Sequence, residues 1–393
     1  MRNASRMKAL SGVAAVAGIG ETDYALDAEA SRKGKSFDAY ELASTAFRRA
    51  LDDAGIQRSD IDGLIAGPPL ALERTGEVLG LDLCYAAQAD AVNAVIQAVL
   101  AIHAGLAECI ALVYGNNQRS ASTAYGGPQA MGGDRFLAYV QYAPWGLTSQ
   151  GALYAMMASR HMVETGFTSA DLGAVVAGIR SFAAMNPNAI RRRPLAVADY
   201  LEGPLICEPL RRDDYCLIND GGVAMIITTA QRARKLKRPL VTLAGFGRHD
   251  LNRDATSLRP RLIERYQPAH HEAAAAVAEM SGTGPEDVGA VQIYDSFSVH
   301  VPIALEGFGF CAPGEAARLV RTGQLAPGGR LPVNSGGGML GESYMQGWNH
   351  QIEAVRQLRG MAGDRQISSA LRHVQYLSDV AGKAATLLYR RGT

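Results

Sequence analysis

Cysteine is scarce and scattered: 393 residues carry five, at Cys84, Cys109, Cys207, Cys216 and Cys311. The number is odd and no two form a C-x-x-C pair. This excludes the usual spacing of a zinc site or a disulfide framework and fits a reducing cytoplasm. Charge of one sign is missing too. Lys plus Arg is 39 against 38 Asp plus Glu, formal net charge +1, so no global basic field points to a nucleic-acid partner. No apolar run reaches the length needed to span a membrane. Arg2, Arg6 and Lys8 ahead of Val13–Gly18 imitate a signal peptide. That stretch is short, broken by Gly12 and Gly18, and followed by no clear cleavage site, so it reads as a first strand. What remains is a globular balance, 48% hydrophobic and 20% charged, long enough for one large core or two similar half-size domains.

Strand and helix signals alternate along the chain. Val13–Ile19 is β-rich, and Phe37, Leu42, Ala43, Ala46, Phe47, Ala50 and Leu51 recur at helical spacing up to Gly55. A strand begins in Asp60–Ile65, Ala91–Ile102 reads as a buried Ala-rich helix ending at Gly105, and Cys109–Tyr114 as a strand. From about 117 to 210 the rhythm is interrupted by Gly126, Gly127, Gly132 and Gly133, a helix near Ala152–Gly166 and the basic run Arg191–Arg193. This is the pattern of an insertion over the end of a sheet, where substrate loops commonly lie. After a strand at Asp220–Thr228, a second pass begins near Pro239. It has strands at Leu240–Phe246 and Val288–Tyr294, helices at His270–Met280 and Val299–Gly307, and a closing strand at Val380–Tyr389. The alternation argues an α/β fold on mostly parallel sheets. The two passes share an order, without a residue-level repeat that demonstrates duplication.

Six segments carry a resemblance. They are Gly18–Thr22; Asp53–Ile56 with Asp60–Leu64; Pro209-Leu210, Asp214, Cys216 and Asp220–Ala224; Gly307–Cys311 with Gly314-Glu315; Leu331–Gly338; and Glu353–Gly360. Each is weak alone. In this order they resemble the sterol-carrier-protein branch of the thiolase superfamily. The resemblance implies an α/β thiolase fold, two similar βαβαβ-type halves in a five-layered α/β/α/β/α core. It places the halves at 1–235 and 236–393, with an inserted loop domain at about 117–210.

The departures from the family pattern say more than the matches. A thiolase needs a Cys at the start of the buried helix, where a thiolate attacks the thioester. The family spacing, counted back from Gly105, lands on or next to Gln88, which cannot be a nucleophile. Cys84 stands four residues early. The family's four-residue motif ending in Phe reads Tyr294-Asp295-Ser296-Phe297, with Tyr where Asn or His is expected. Ten residues beyond Asn334, where a second His is expected, stands Tyr344. The last Cys, expected in a Gly-rich turn, is replaced by His373–Ser378. Both thiol roles are gone, and a Tyr in each motif resembles the bacterial steroid side-chain aldolases.

That resemblance implies retro-aldol cleavage of a β-hydroxyacyl-CoA, with Tyr294 and Tyr344 as the acid/base pair and no acyl-enzyme. Such a reaction needs a base at the β-hydroxyl, support for the enolate oxygen and an acid, and no nucleophile. A free phenol titrates near 10. A tyrosine base therefore needs a lowered pKa or a relay, for which Asp295, Glu342 and His350 are candidates. Asp295, Asn334, Gly337 and Gly338 are expected to bind substrate, the glycines by allowing close backbone approach to the thioester. No cofactor is expected beyond the CoA of the substrate. The resemblance also implies a homodimer core and a small partner built of an OB-fold and a zinc-ribbon-like part, together a heterotetramer. The plain readings stand beside these. Most of the 15 tyrosines pack rather than react, Arg191–Arg193 reads as a solvated face, Cys216 and Cys311 as packed thiols, and His270-His271 lacks a third metal ligand. Two rival functions remain: an acyltransferase using an unexpected nucleophile such as Cys84, and a silent acyl-CoA-binding subunit.

Overall fold

A computed structural model describes residues 4–123, 149–250, 267–380 and 383–392. The expected Gly126, Gly127, Gly132 and Gly133 stretch lies outside the described residues. Eleven strands are described: β1 (Ala14–Glu21), β2 (Gly63–Ala66), β3 (Tyr85–Gln88), β4 (Cys109–Asn117), β5 (Leu205–Cys207), β6 (Leu210–Arg211), β7 (Asp220–Thr229), β8 (Val241–Asp250), β9 (Ala290–Ile293), β10 (His373–Val380) and β11 (Lys383–Arg391). All but the β5–β6 ribbon join one nine-stranded sheet in the order β3-β2-β4-β7-β1-β8-β11-β10-β9. The pairing repeats about a single joint, Ala15 opposite Thr242. On one side β3-β2-β4 are parallel and β4-β7-β1 antiparallel. On the other, Val333 and β10 flank β9 in parallel, and β10-β11-β8 are antiparallel. The outer strand of the second set is reduced to the Val291–Val333 bridge.

The expectation of a mostly parallel sheet is corrected: antiparallel pairs outnumber parallel ones. The sequence stretch 373–378, read as the remnant of a turn, is strand β10. It pairs antiparallel with β11, from His373 opposite Arg390 to Val380 opposite Lys383.

Alternation within the strands builds the layers. In β4, Ile110, Leu112 and Tyr114 face a central core that also holds helices Ala91–His103 and Trp348–Arg359. The alternate Cys109, Ala111 and Val113 face an outer core under helix Ala39–Ala54. In β11, Ala385, Leu387 and Tyr389 turn to the central core, and Ala384 and Leu388 to an opposite outer core with helices Gln267–Ser281 and His300–Gly307. The period-2 pattern therefore yields helix, sheet, helix, sheet, helix, which is the five-layered arrangement. Each Leu, Ile or Val buried this way contributes about 1.5–3 kcal/mol against leaving it exposed.

Two glycine positions show how closely the outer helices lie on the sheet. A Cβ at Gly20 would stand 2.1 Å from the Ala46 carbonyl oxygen, and one at Gly247 would stand 2.0 Å from that of Ala273. Helix Ala39–Ala54 starts on Asp38, whose carboxylate accepts from the amides of Tyr40 and Glu41, and stops at Gly55 in the left-handed region. Among the described residues, no helix is long and apolar enough to cross a membrane.

Candidate active site

β9 ends at Ile293, and the next residues, Tyr294 to Phe297, turn across the end of the sheet. Asn334 holds them there. Its side-chain oxygen accepts from the Ile293 amide at 2.6 Å, and its Nδ2 donates to the Ile293 carbonyl at 2.9 Å. Asn334 itself has φ 53, a left-handed conformation that Asn tolerates better than most residues. The amide is thus a two-bond clip on the strand that delivers Tyr294.

After Asn334 the chain makes a π-helical turn, Gly338–Glu342, with Glu342 and Ser343 amides reaching back five residues to Gly337 and Gly338. The Asp295 carboxylate, fully buried, caps it. Asp295 accepts from the Met339 amide at 2.7 Å and the Leu340 amide at 3.4 Å, and faces His350 Nε2 at 2.9 Å. Gly338, at φ 56, leaves room for this. A Cβ there would stand 2.2 Å from Asp295 Oδ2, and one at Gly337 would stand 2.7 Å from Ala183 Cβ. The closest approaches to these glycines are therefore made by the protein itself. π-turns of this kind recur at functional sites.

The turn delivers Tyr344, whose backbone is gripped on both sides. Its amide donates to Asn219 Oδ1 at 2.7 Å, and its carbonyl accepts from Asn116 Nδ2 at 3.1 Å. Asn116 lies near the end of β4 and Asn219 just before β7, both buried. Sequence reasoning missed this pair. The available signal was the run of Asn at the two strand ends, Asn116-Asn117 and Asn219-Asp220. Glu342, also buried, accepts from Asn186 Nδ2 at 2.7 Å and Asn349 Nδ2 at 2.9 Å. Burial, then the charges of Glu21 and Glu353, push its carboxyl up to about 8. Of the three relay candidates, Asp295 and His350 pair with each other beneath the turn, and Glu342 is tied to the asparagines beside it.

Tyr294 and Tyr344 meet. Both are half-buried, and their hydroxyls share a hydrogen bond. Burial raises the Tyr294 phenol well above its ordinary range, and the Tyr344 contact offsets only part of that. Tyr376 on β10 is a third phenol here. A Cβ at Gly347 would touch its hydroxyl at 2.0 Å and Tyr294 Cδ2 at 3.4 Å. Tyr376 too is raised by burial. At neutral pH Tyr294 and Tyr376 are neutral phenols, able to donate to a developing oxyanion and poor as resting bases.

Gln88 is the last residue of β3 rather than the first of the helix, which begins at Ala91 behind its N-cap Asp90. Gln88 is exposed and donates to the Leu70 carbonyl at 2.6 Å. Cys84 precedes the far end of the same short strand, about 13 Å from Gln88 at an extended rise per residue. Its thiol lies 3.2 Å from the carbonyls of Asp62 and Leu106. Cys216 and Cys311 are half-buried thiols, each pushed up to about 12 by burial. Of the arginine run, Arg191 is drawn in against the π-turn: its amide donates to the Gly341 carbonyl at 2.9 Å, and its guanidinium lies 3.5 Å from Asp213. Among the described residues, no three His, Cys, Asp or Glu side chains converge as metal ligands.

Two sets of strands, joined at Ala15–Thr242 and lying between three helical layers, with polar side chains gathered at the end of β9 and along β10, define a thiolase-fold protein. Comparisons with known proteins agree. Residues 255–390 match the family model for the thiolase C-terminal domain-like region. The steroid side-chain-cleaving aldolase of Thermomonospora curvata is 35% identical over 370 residues, covering 90% of this chain and 92% of that protein. The 17-hydroxy-3-oxo-4-pregnene-20-carboxyl-CoA lyase of Mycobacterium tuberculosis is 35% identical over 371 residues, covering 89% and 92%. Among solved structures, an Ltp2-ChsH2(DUF35) aldolase superposes with a TM-score of 0.87 at 32% identity, covering 98% of this chain and 99% of that one. Human mitochondrial 3-ketoacyl-CoA thiolase, at 12% identity and a TM-score of 0.69, shares the fold alone. The chain belongs to the thiolase superfamily, within the family of acyl-CoA aldolases that includes the steroid side-chain-cleaving enzymes.

Proposed function

We propose that this lyase cleaves the Cα–Cβ bond of a β-hydroxyacyl-CoA carried on a steroid or bile-acid side chain, releasing a ketone or aldehyde and propionyl-CoA or acetyl-CoA. The observation that carries the reading is the hydrogen-bonded Tyr294–Tyr344 pair, two phenols where the thiolase pattern expects Asn or His and a second His, in a chain with no Cys at Gln88 or in 373–378. Deprotonation of the β-hydroxyl drives the electron pair into a new carbonyl. The Cα–Cβ bond breaks, and the electrons pass to a thioester enolate. Tyr294, kept neutral by burial, donates to that enolate, and Tyr344 holds the Tyr294 hydroxyl in place. The names of the two relatives, both 35% identical, support the substrate class.

The outermost strand β3 has only half-buried and exposed residues, with Leu100 44% and Leu106 56% exposed nearby. This supports a homodimer built across that edge. The structural neighbour is an Ltp2-ChsH2(DUF35) aldolase, which supports a partner protein for this chain; we take that partner to be of the OB-fold, zinc-ribbon type and the assembly to be a heterotetramer in the cytoplasm.

The test is turnover of 17-hydroxy-3-oxo-4-pregnene-20-carboxyl-CoA by the chain purified with such a partner, products followed by mass spectrometry. Wild type should release a short acyl-CoA and a carbonyl compound. Tyr294→Phe and Tyr344→Phe should each lose roughly 100- to 10,000-fold in kcat, the range of a lost acid/base group. Fully active variants would sink the tyrosine roles. A wild type that binds acyl-CoA without turnover would favour a silent subunit, and thiolysis abolished by Cys84→Ala would favour the acyltransferase.

A further inference from the structure

The reaction needs a base, and burial leaves Tyr294 unsuited to that task. A second group of buried polar side chains adjoins it. Ser296 Oγ lies 3.0 Å from His300 Nε2. His300 Nδ1 faces Asp379 Oδ2 at 3.9 Å, and Asp379 Oδ1 faces His270 Nε2 at 3.4 Å. Ser296 is 7% exposed, His300 and Asp379 0%, and His270 1%. The four come from four places: the loop after β9, the start of helix His300–Gly307, the end of β10 and helix Gln267–Ser281. His300 is the common neighbour. Its ring stands perpendicular to Tyr294 with centroids 5.9 Å apart, and packs on Tyr154 of helix Gln150–Thr165 at 4.6 Å. The groups facing His300 are thus Asp379, Tyr294, Tyr154 and Ser296, with His270 behind Asp379.

We propose that Ser296, His300 and Asp379 form the proton-accepting relay of the aldol cleavage, with Ser296 at the substrate hydroxyl. The inference rests on the lyase reading above. Ser296 Oγ takes the β-hydroxyl proton while passing its own to His300 Nε2. The freed electron pair closes the carbonyl as the Cα–Cβ bond breaks. Tyr294 protonates the enolate carbon, and the imidazolium proton returns through Ser296 to the Tyr294 oxygen, restoring the enzyme. With its proton on Nδ1, the nitrogen that faces Asp379 at 3.9 Å, His300 keeps Nε2 as the acceptor, and the Asp379 carboxylate stabilises the imidazolium as it forms. Burial alone would raise the carboxyl, but the His270 and His300 imidazoles outweigh it and hold it below the ordinary carboxylate range. The 3.9 Å separation is that of a resting site, and such contacts commonly shorten when charge develops.

The experiment is kcat and KM against pH for the full chain with its partner on the same pregnene-carboxyl-CoA, with Ser296→Ala, His300→Gln and Asp379→Asn. Wild type should show an acid limb set by one imidazole. Ser296→Ala and His300→Gln should lose roughly 100- to 10,000-fold in kcat with KM within a few-fold, and His300→Gln should lose the acid limb. Asp379→Asn should move that limb to lower pH, because removing a neighbouring negative charge favours the neutral imidazole. A merely structural role does not move the limb. Histidine-edited NMR of wild type and Asp379→Asn gives the second reading, a His300 titration displaced in the same direction. Turnover by wild type with an unchanged rate and pH profile in Ser296→Ala overturns the relay alone. A chain that cleaves no β-hydroxyacyl-CoA overturns the lyase reading and the relay together.

Discussion

Asp295→Asn separates a residue that touches substrate from one that holds the turn. The side chain keeps its shape and loses its charge. In the wild type its carboxylate accepts from Met339 at 2.7 Å and faces His350 at 2.9 Å, both with no exposure to solvent. A hydrogen bond to a charged group contributes about 1.5–3 kcal/mol and a neutral one about 0.5–1.5 kcal/mol, so weakening both costs about 2–3 kcal/mol. The amide adds a second penalty, since its NH2 faces a donor whichever way it is turned. The cost falls on the π-turn Gly338–Glu342, and two residues later comes Tyr344. A shift of about 1 Å in a catalytic group can lower kcat about 100-fold. Asp295→Asn should therefore unfold at lower denaturant concentration and lose about 100-fold in kcat, with KM little changed. Chemical denaturation and steady-state kinetics on the same preparation check this. Unchanged stability together with a raised KM would refute the reasoning and place Asp295 against the substrate.

Two further outcomes follow from buried charge. Glu342 is raised in the folded state to about 8. Its contribution to stability is therefore fully present below the unfolded value, near 4.3, and is lost as pH rises through 8. Between those limits wild type should lose roughly 1.4 kcal/mol per pH unit relative to Glu342→Gln, and parallel denaturation curves for the two would refute the assignment. Arg359 is 4% exposed and donates to Asp53 at 2.6 Å and to the Val16 and Ala17 carbonyls at 2.9 and 3.0 Å, tying the last turn of helix Trp348–Arg359 to β1. Arg359→Ala should cost about 3 kcal/mol by leaving buried acceptors without it, with kcat unchanged once folded. A loss under 1 kcal/mol in urea titration would show that Arg238, 2.9 Å from Asp53, suffices.

The layers were legible because period-2 and helical patterns are local. Helix Ala39–Ala54, the buried Ala91–His103 and strands β1, β4, β7 and β8 stand within a few residues of the sequence expectation. Strand β10 was not legible, because its polar residues, Gln375, Ser378 and Asp379, break the apolar alternation. Each polar group finds its partner only in the fold: Gln375 in Thr386, Ser378 in Tyr376, and Asp379 in two imidazoles. The tyrosine pair could be found from two motif positions, since each motif fixes its own residue. The asparagine clamp on Tyr344 and the Ser296–His300–Asp379 group could not. Their members are brought together by strand order, across separations such as 228 residues between Asn116 and Tyr344.

The repeated pairing also explains why the reactive groups are unequally shared. In the second set of strands, the residues just after β9 supply Tyr294 and Ser296, and β10 carries Tyr376 and Asp379, so hydroxyls, imidazoles and a carboxylate gather there. At the matching edge of the first set, β2 ends in Ala66 followed by Gly67, where a Cβ would meet the rings of Tyr114 and Trp348 at 2.9 and 3.1 Å. That end is filled with packing. What the first set gives the site is Asn116 and Asn219, which fix backbone rather than react. One set thus supplies the chemistry and the other holds Tyr344 against it. A substitution in the clamp, Asn219→Ala for instance, therefore acts on kcat through geometry alone. It should leave the pH profile unmoved, whereas any change in the His300 group moves it.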